Sequence, residues 1–274
     1  LNYYLELLSP DCLSELRKKM VTSLIRGKQF YSNRLLGKYW RVILDGTGVA
    51  CFEERHCDNC LYEKRTYKDG RKVTVYYHKV LEAKLILGDK IIISLGTEFI
   101  ENERSDVSKQ DCERKAAKRL LERIKKEYPR LPICIQGDAM YATEPMMEIC
   151  RLNGWKYIFS HKEAQQRVLA DNYNLLSIED GKQKVQGIGA EKGTAIYCNG
   201  IGKMAGKTEI MNVYEYTCKK IIKKQEKTVH FQWITDIELT RRNLEEMVRA
   251  GRGRWKIENE GFNNQKNGIY DIEH

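Results

Sequence analysis

The chain has 274 residues, 48 Lys and Arg against 38 Asp and Glu, a formal net charge of +10 and 42% hydrophobic residues. That apolar content suffices for a packed core and excludes wholesale disorder. No apolar run approaches the roughly 20 residues of a membrane span, and the basic excess points to a polyanionic partner, nucleic acid first.

In chain order, residues 12–30 read as a basic amphipathic helix with Leu13, Leu16, Met20 and Leu24 on one face. Residues 38–52 have a strand pattern, 58–72 are polar and turn-rich, and 73–87 and 90–101 form two more strands joined at Gly88-Asp89. Residues 109–128 carry helical periodicity (Cys112, Ala116, Leu120, Ile124), closed by Pro129 and Pro132. A short buried strand at 133–136, a helix at 144–153 capped by Gly154 and a strand at 157–160 follow. The order predicts a mixed α/β sheet covered by helices. From about 164 the texture turns glycine-rich and β-leaning, as in Val213-Tyr214-Glu215-Tyr216 and Val229-His230-Phe231-Gln232-Trp233-Ile234. Thr240 then opens a helix that Gly251 and Gly253 are expected to break.

Four segments result: a helical piece at 1–37, expected to be the remnant of a preceding domain; a core at 38–163; a β-rich insertion at 164–238; and a helical return to the core at 239–274. Nine cysteines without regular pairing and no secretory leader predict a reducing, cytoplasmic setting, close to the nucleoid if the partner is DNA.

Three acidic residues stand in separate settings. Asp45 ends the run Val42-Ile43-Leu44, Asp138 follows Ile133-Cys134-Ile135, and Glu258 lies in Arg254-Trp255-Lys256-Ile257-Glu258, which reads as a helix. Aspartates at strand ends and a late glutamate suit hard divalent cations, because carboxylate oxygens bind Mg2+ or Mn2+ and strands hold them rigidly. Two such ions about 4 Å apart neutralise a phosphodiester, activate the attacking oxygen and stabilise the leaving one. Asp45 is then the bridging ligand, with Asp138 and Glu258 each completing one ion. Arg254, one helical turn before Glu258, is placed to grip a phosphate with two parallel hydrogen bonds.

Leu44-Asp45-Gly46-Thr47, Gly137-Asp138-Ala139-Met140-Tyr141 and Arg254-Trp255-Lys256-Ile257-Glu258-Asn259 resemble, in order and setting, the motifs of DDE transposases of bacterial insertion sequences. The likeness is to those with a β-rich insertion before the glutamate, and it covers about residues 38–274. There are departures. The family's tyrosine three residues before the arginine falls on Gly251, and its lysine seven after the glutamate falls on Gln265, with Lys266 one step late. The resemblance implies a ribonuclease-H-like catalytic core and magnesium-dependent cleavage of double-stranded DNA at element ends. It also implies strand transfer into target DNA by a homodimer. It makes Arg254, Lys266 and Tyr141 candidate DNA contacts, and Arg252 is a further one from its place near the glutamate segment. Trp233 corresponds to a tryptophan that stacks on a flipped base in relatives forming hairpin intermediates, a contact worth roughly 1–3 kcal/mol; a core aromatic is the alternative. A nuclease of the same fold without strand transfer, and a non-catalytic DNA-binding descendant, are the competing functions.

A second constellation is Cys51, Cys57, Cys60 and His78. Cys57-Asp58-Asn59-Cys60 has the spacing of a zinc knuckle, beside His56. If 38–52 and 73–87 pair as a hairpin, a Cys3His zinc site results; free buried thiols are the alternative. The Arg and Lys residues of 109–126 and the pairs Lys219-Lys220 and Lys223-Lys224 either follow a phosphate backbone or form solvated faces.

Overall fold

A computed structural model of the protein describes residues 7, 9–88, 91–104, 107–163, 167–179, 181–201, 211–222 and 225–255. They form an α/β protein whose strands pair mostly antiparallel and fall into two compact units, Leu1–Asn33 with Val42–Leu131 and Arg34–Arg41 with Pro132–Trp255. No helix among the described residues is long and apolar enough to cross a membrane.

In the first unit, α1 spans Pro10–Arg26, with Ser9 as N-cap accepting from the Asp11 N–H and Pro10 in the first turn. Strands β1 (Trp40–Phe52), β2 (Leu61–Thr66), β3 (Lys72–Ile86) and β4 (Ile92–Ile100) follow, then α2 (Glu113–Glu127). β3 pairs antiparallel with β1, β2 and β4. β2 lies in the stretch expected to be turn-rich. Only Leu61 of it is buried, so charged side chains cover a water-facing ribbon and the sequence gives no apolar alternation.

One face of this sheet is covered by α2, whose Ala116, Ala117, Leu120, Leu121 and Ile124 are buried. The fit is close: a Cβ on Gly96 would lie 2.8 Å from Leu120, and one on Gly46 2.5 Å from the Glu113 carboxyl carbon. α1 packs on β4 with Val21 buried, and an Arg17–Glu127 ion pair of 2.9 Å ties it to the end of α2. The apolar stripe predicted for it is turned outward, since Leu13, Leu16, Met20 and Leu24 are all exposed. The helix docks through Val21 and a charged residue, which a periodicity reading does not weight.

In the second unit, β5 (Ile133–Gly137) runs parallel to β6 (Lys156–Ser160), with α3 (Glu144–Leu152) between them in sequence. After α4 (Arg167–Leu175) come β7 (Gln183–Ile188), β8 (Gly193–Ile201), β9 (Met211–Ile222) and β10 (Gln225–Thr235), an antiparallel meander. β10 pairs antiparallel with β6, so the β-rich segment extends the same sheet. α5 (Leu244–Arg252) packs into a core with Tyr214, Tyr216, Trp233 and Ile158.

Gly251 does not break α5. It sits inside the helix, and a Cβ there would lie 2.6–2.8 Å from the Trp233 indole, so the glycine lets the ring pack against the helix backbone. Gly253 instead opens a 3-10 turn, Gly253–Trp255.

Candidate active site and thiol–imidazole cluster

Asp45 is not at a strand end: β1 continues through it to Phe52, paired with β3 as far as Tyr76. Gly46, Thr47 and Gly48, which look like a turn, take extended backbone because β3 offers a ladder partner for each of them. Asp45 is half-buried, and its Oδ1 accepts from the Gly46 N–H at 3.1 Å. Paired residues of an antiparallel ladder share a face. Leu44 and Ala83 pair, as do Gly46 and Leu81, on the α2 side; Asp45 and Glu82 pair on the other.

Glu82 and Lys84 escaped the sequence reading. Both are buried, 6% and 4% exposed, and lie 3.1 Å apart as an ion pair. Glu82 also accepts from the hydroxyls of Ser94, at 2.9 Å, and Thr97. Isolated charges are costly to bury, so this pair survives through its mutual contact and added hydrogen bonds. The signal was legible as two charges at alternate positions inside Leu81-Glu82-Ala83-Lys84-Leu85.

Asp138 follows β5 directly and is half-buried. It caps a 3-10 turn, Ala139–Tyr141, its Oδ1 accepting from the Met140 N–H at 2.9 Å. The turn brings Tyr141 back under the strand, where a Cβ on Gly137 would lie 2.6 Å from the ring. Tyr141 is 0% exposed, so its ring supports the Asp138 turn and offers no surface to DNA. Two residues earlier, buried Gln136 donates through Nε2 to the Ala250 carbonyl at 3.0 Å, which fixes α5 to β5.

Glu258 and Lys266 lie outside the described residues. Arg254 is half-buried in the turn that ends the described chain. Arg252, expected at DNA, is engaged internally: it donates to both Glu191 oxygens, at 2.9 and 2.6 Å, and its guanidinium lies over the Tyr216 and Phe231 rings. Trp233 is 3% exposed and stacks with Tyr214 and Phe231 at ring separations of 5.0 and 5.7 Å. It is a core aromatic and not a surface wedge. On α2, Arg119 and Arg123 pair with Glu98, and Arg119 also with Asp111, so the outward charge rests on Arg114, Lys115, Lys118 and Lys126. Lys219 and Lys220 are likewise paired, with Glu226 and Glu191.

The Arg252 guanidinium holds the Glu191 carboxyl down at about 2. A carboxylate whose folded value lies below its unfolded one, about 4.3, contributes stability that is full above the unfolded value and is lost as pH falls through the folded one. Acid unfolding followed by circular dichroism is expected to show this loss between about pH 4 and 2. Arg252→Met should flatten that part of the curve; an identical slope in the variant would rule the pair out as its source.

Of the zinc candidates, three converge. Cys57 Sγ and Cys60 Sγ lie 3.4 Å apart, and His78 Nε2 is 3.5 Å from the first and 3.3 Å from the second. Cys51 does not join them. It pairs with Tyr77, one residue from His78, and therefore points to the opposite face, where it lines a groove with Tyr77, Lys79 and Arg65. Cys12 and Cys112 are exposed; Cys134, Cys150, Cys198 and Cys218 are buried. Burial pushes the Cys134 and Cys150 thiols well up, as expected of inert core groups.

No protein-family model matches the chain, and no curated protein matches it.

Proposed function

We propose that the protein is a DNA transposase with a ribonuclease-H-like catalytic core, acting on double-stranded DNA as a homodimer near the nucleoid. Asp45, Asp138 and Glu258 are its metal-binding carboxylates. The observation that carries the reading is the anchoring of α5 to β5 through Gln136 and Ala250. The chain that leads to Glu258 leaves from a helix fixed beside the strand that presents Asp138. Supporting it, Asp138 occupies the carboxyl end of a parallel strand, where α/β sheets hold their ligands. The β4–β3–β1 antiparallel order with α2 on one face agrees with the first half of such a core.

The donor chemistry fits Mg2+ or Mn2+: half-buried carboxylates, each with one oxygen steadied by a nearby N–H. On one side of β1, Asp45 shares a face with Glu82, whose charge Lys84 balances. When bound, two divalent ions supply charge neutralisation and an activated oxygen nucleophile. The protein's own part is to hold Asp45 on β1 and Asp138 at the end of β5, and to bring Arg254 and the exposed lysines of α2 to the phosphate backbone. Lys266 is assigned the same backbone role.

A joining assay with pre-cleaved DNA ends and a supercoiled target, in Mg2+ and in Mn2+, tests the reading. Joined product is expected. Hydrolysis without joining would instead identify a nuclease of the same fold, and neither activity with intact DNA binding would identify a non-catalytic descendant.

A further inference from the structure

At the end of the paired β1 and β3 remote from Asp45, the β1–β2 connection folds back over β3. Here three soft donors meet without any role in the proposed reaction. His78 pairs in register with Ala50, five residues along β1 from Asp45, so the cluster lies roughly 17 Å from that carboxylate at about 3.3 Å per residue.

The separations are those of ligands around one small ion. In a tetrahedron with Zn–S about 2.3 Å and Zn–N about 2.05 Å, sulfurs stand about 3.8 Å apart and a sulfur and a nitrogen about 3.6 Å. The observed 3.4, 3.5 and 3.3 Å fall about 0.1–0.4 Å inside those edges. The loop is also held in advance. Asn102 donates through Nδ2 to the Cys60 carbonyl at 2.9 Å, and Asn59 donates through Nδ2 to the Asn102 carbonyl at 2.8 Å. The Asn102 N–H closes the set on the Asn59 carbonyl at 3.0 Å. The Cys57 N–H points to Cys60 Sγ at 3.4 Å, the kind of donor that steadies a thiolate.

We propose that Cys57, Cys60 and His78 bind a zinc-class cation that staples the β1–β2 loop to β3. The fourth position opens on the cavity lined by His56, Tyr62, Thr74 and Tyr76, where His56 stacks on Tyr76 at 4.3 Å. Thiolate and imidazole ligands select this ion over magnesium, so the site is chemically distinct from the carboxylates. The site stands whether or not the chain cuts DNA.

The test is a Co2+ titration of the full reduced chain, followed by displacement with Zn2+. One equivalent should produce thiolate-to-cobalt charge-transfer absorption, and Zn2+ should abolish it. Losing a ligand costs more than losing a supporting group, so Cys57→Ser and His78→Ala should each weaken binding by more than about 100-fold. Cys51→Ser should bind like the parent. Should the ligand variants fail to fold, alkylation of the parent gives a second reading: zinc should protect Cys57 and Cys60 and leave Cys51 and Cys112 reactive. No charge-transfer band together with no protection would overturn the proposal, as would equal loss in Cys51→Ser or a Cys57–Cys60 disulfide in protein isolated under reducing conditions.

Discussion

Replacing Asp45 or Asp138 by Asn is expected to abolish metal-dependent DNA cleavage while leaving the fold intact. Metal-held charge stabilisation is worth several kcal/mol in the transition state, and at about 1.4 kcal/mol per decade the loss should reach roughly 10³-fold or more. The fold should survive because Asn is nearly isosteric with Asp and keeps an oxygen for the backbone N–H that each aspartate accepts. Asp45 takes the Gly46 N–H and Asp138 the Met140 N–H, and an amide oxygen can accept both. Nicking of supercoiled plasmid in Mn2+, beside thermal unfolding of each variant, checks the expectation. Glu258→Gln should behave as the two Asn variants do. A variant within a few-fold of the parent would remove that residue from the site.

The second large effect concerns Trp233. Its ring is enclosed by Tyr214, Phe231 and the Gly251 backbone, so Trp233→Ala opens a cavity in the second unit and should cost about 3–5 kcal/mol of stability. The shift should be seen in denaturant unfolding without DNA. Gly251→Ala probes the same contact from the other side: the new methyl meets a rigid indole, and overpacking of this kind costs about 1–3 kcal/mol. An unchanged unfolding midpoint for Trp233→Ala, paired with weaker binding of a DNA hairpin, would return Trp233 to the role of a base-stacking wedge.

Much of the element order can be read from the chain because its signals are local. The period of α2 and the proline and glycine that bound α2 and α3 act within a turn or two of backbone. Asp45 and Asp138 each follow an apolar run long enough to be a buried strand, yet only at Asp138 does the strand end there. The cysteine spacing Cys57-Asp58-Asn59-Cys60 is legible too, and so is a distant histidine.

What only tertiary structure decided is which face each residue presents and what already occupies it. Cys51 and His78 look equally eligible as ligands until the β1–β3 register sends them to opposite sides, since one residue of ladder shift exchanges the faces. Arg252 reads as a free cation until the β7–β8 connection delivers Glu191; Trp233 stays open between wedge and core aromatic, and Tyr141 reads as a DNA contact, until glycines far from one and near the other make room for the rings. Composition and periodicity specify that a strand or helix forms, because those energies are summed over neighbours in sequence. Pairing of a charge, burial of a ring and completion of a ligand set depend on contacts between distant residues, and those exist only once the chain has folded.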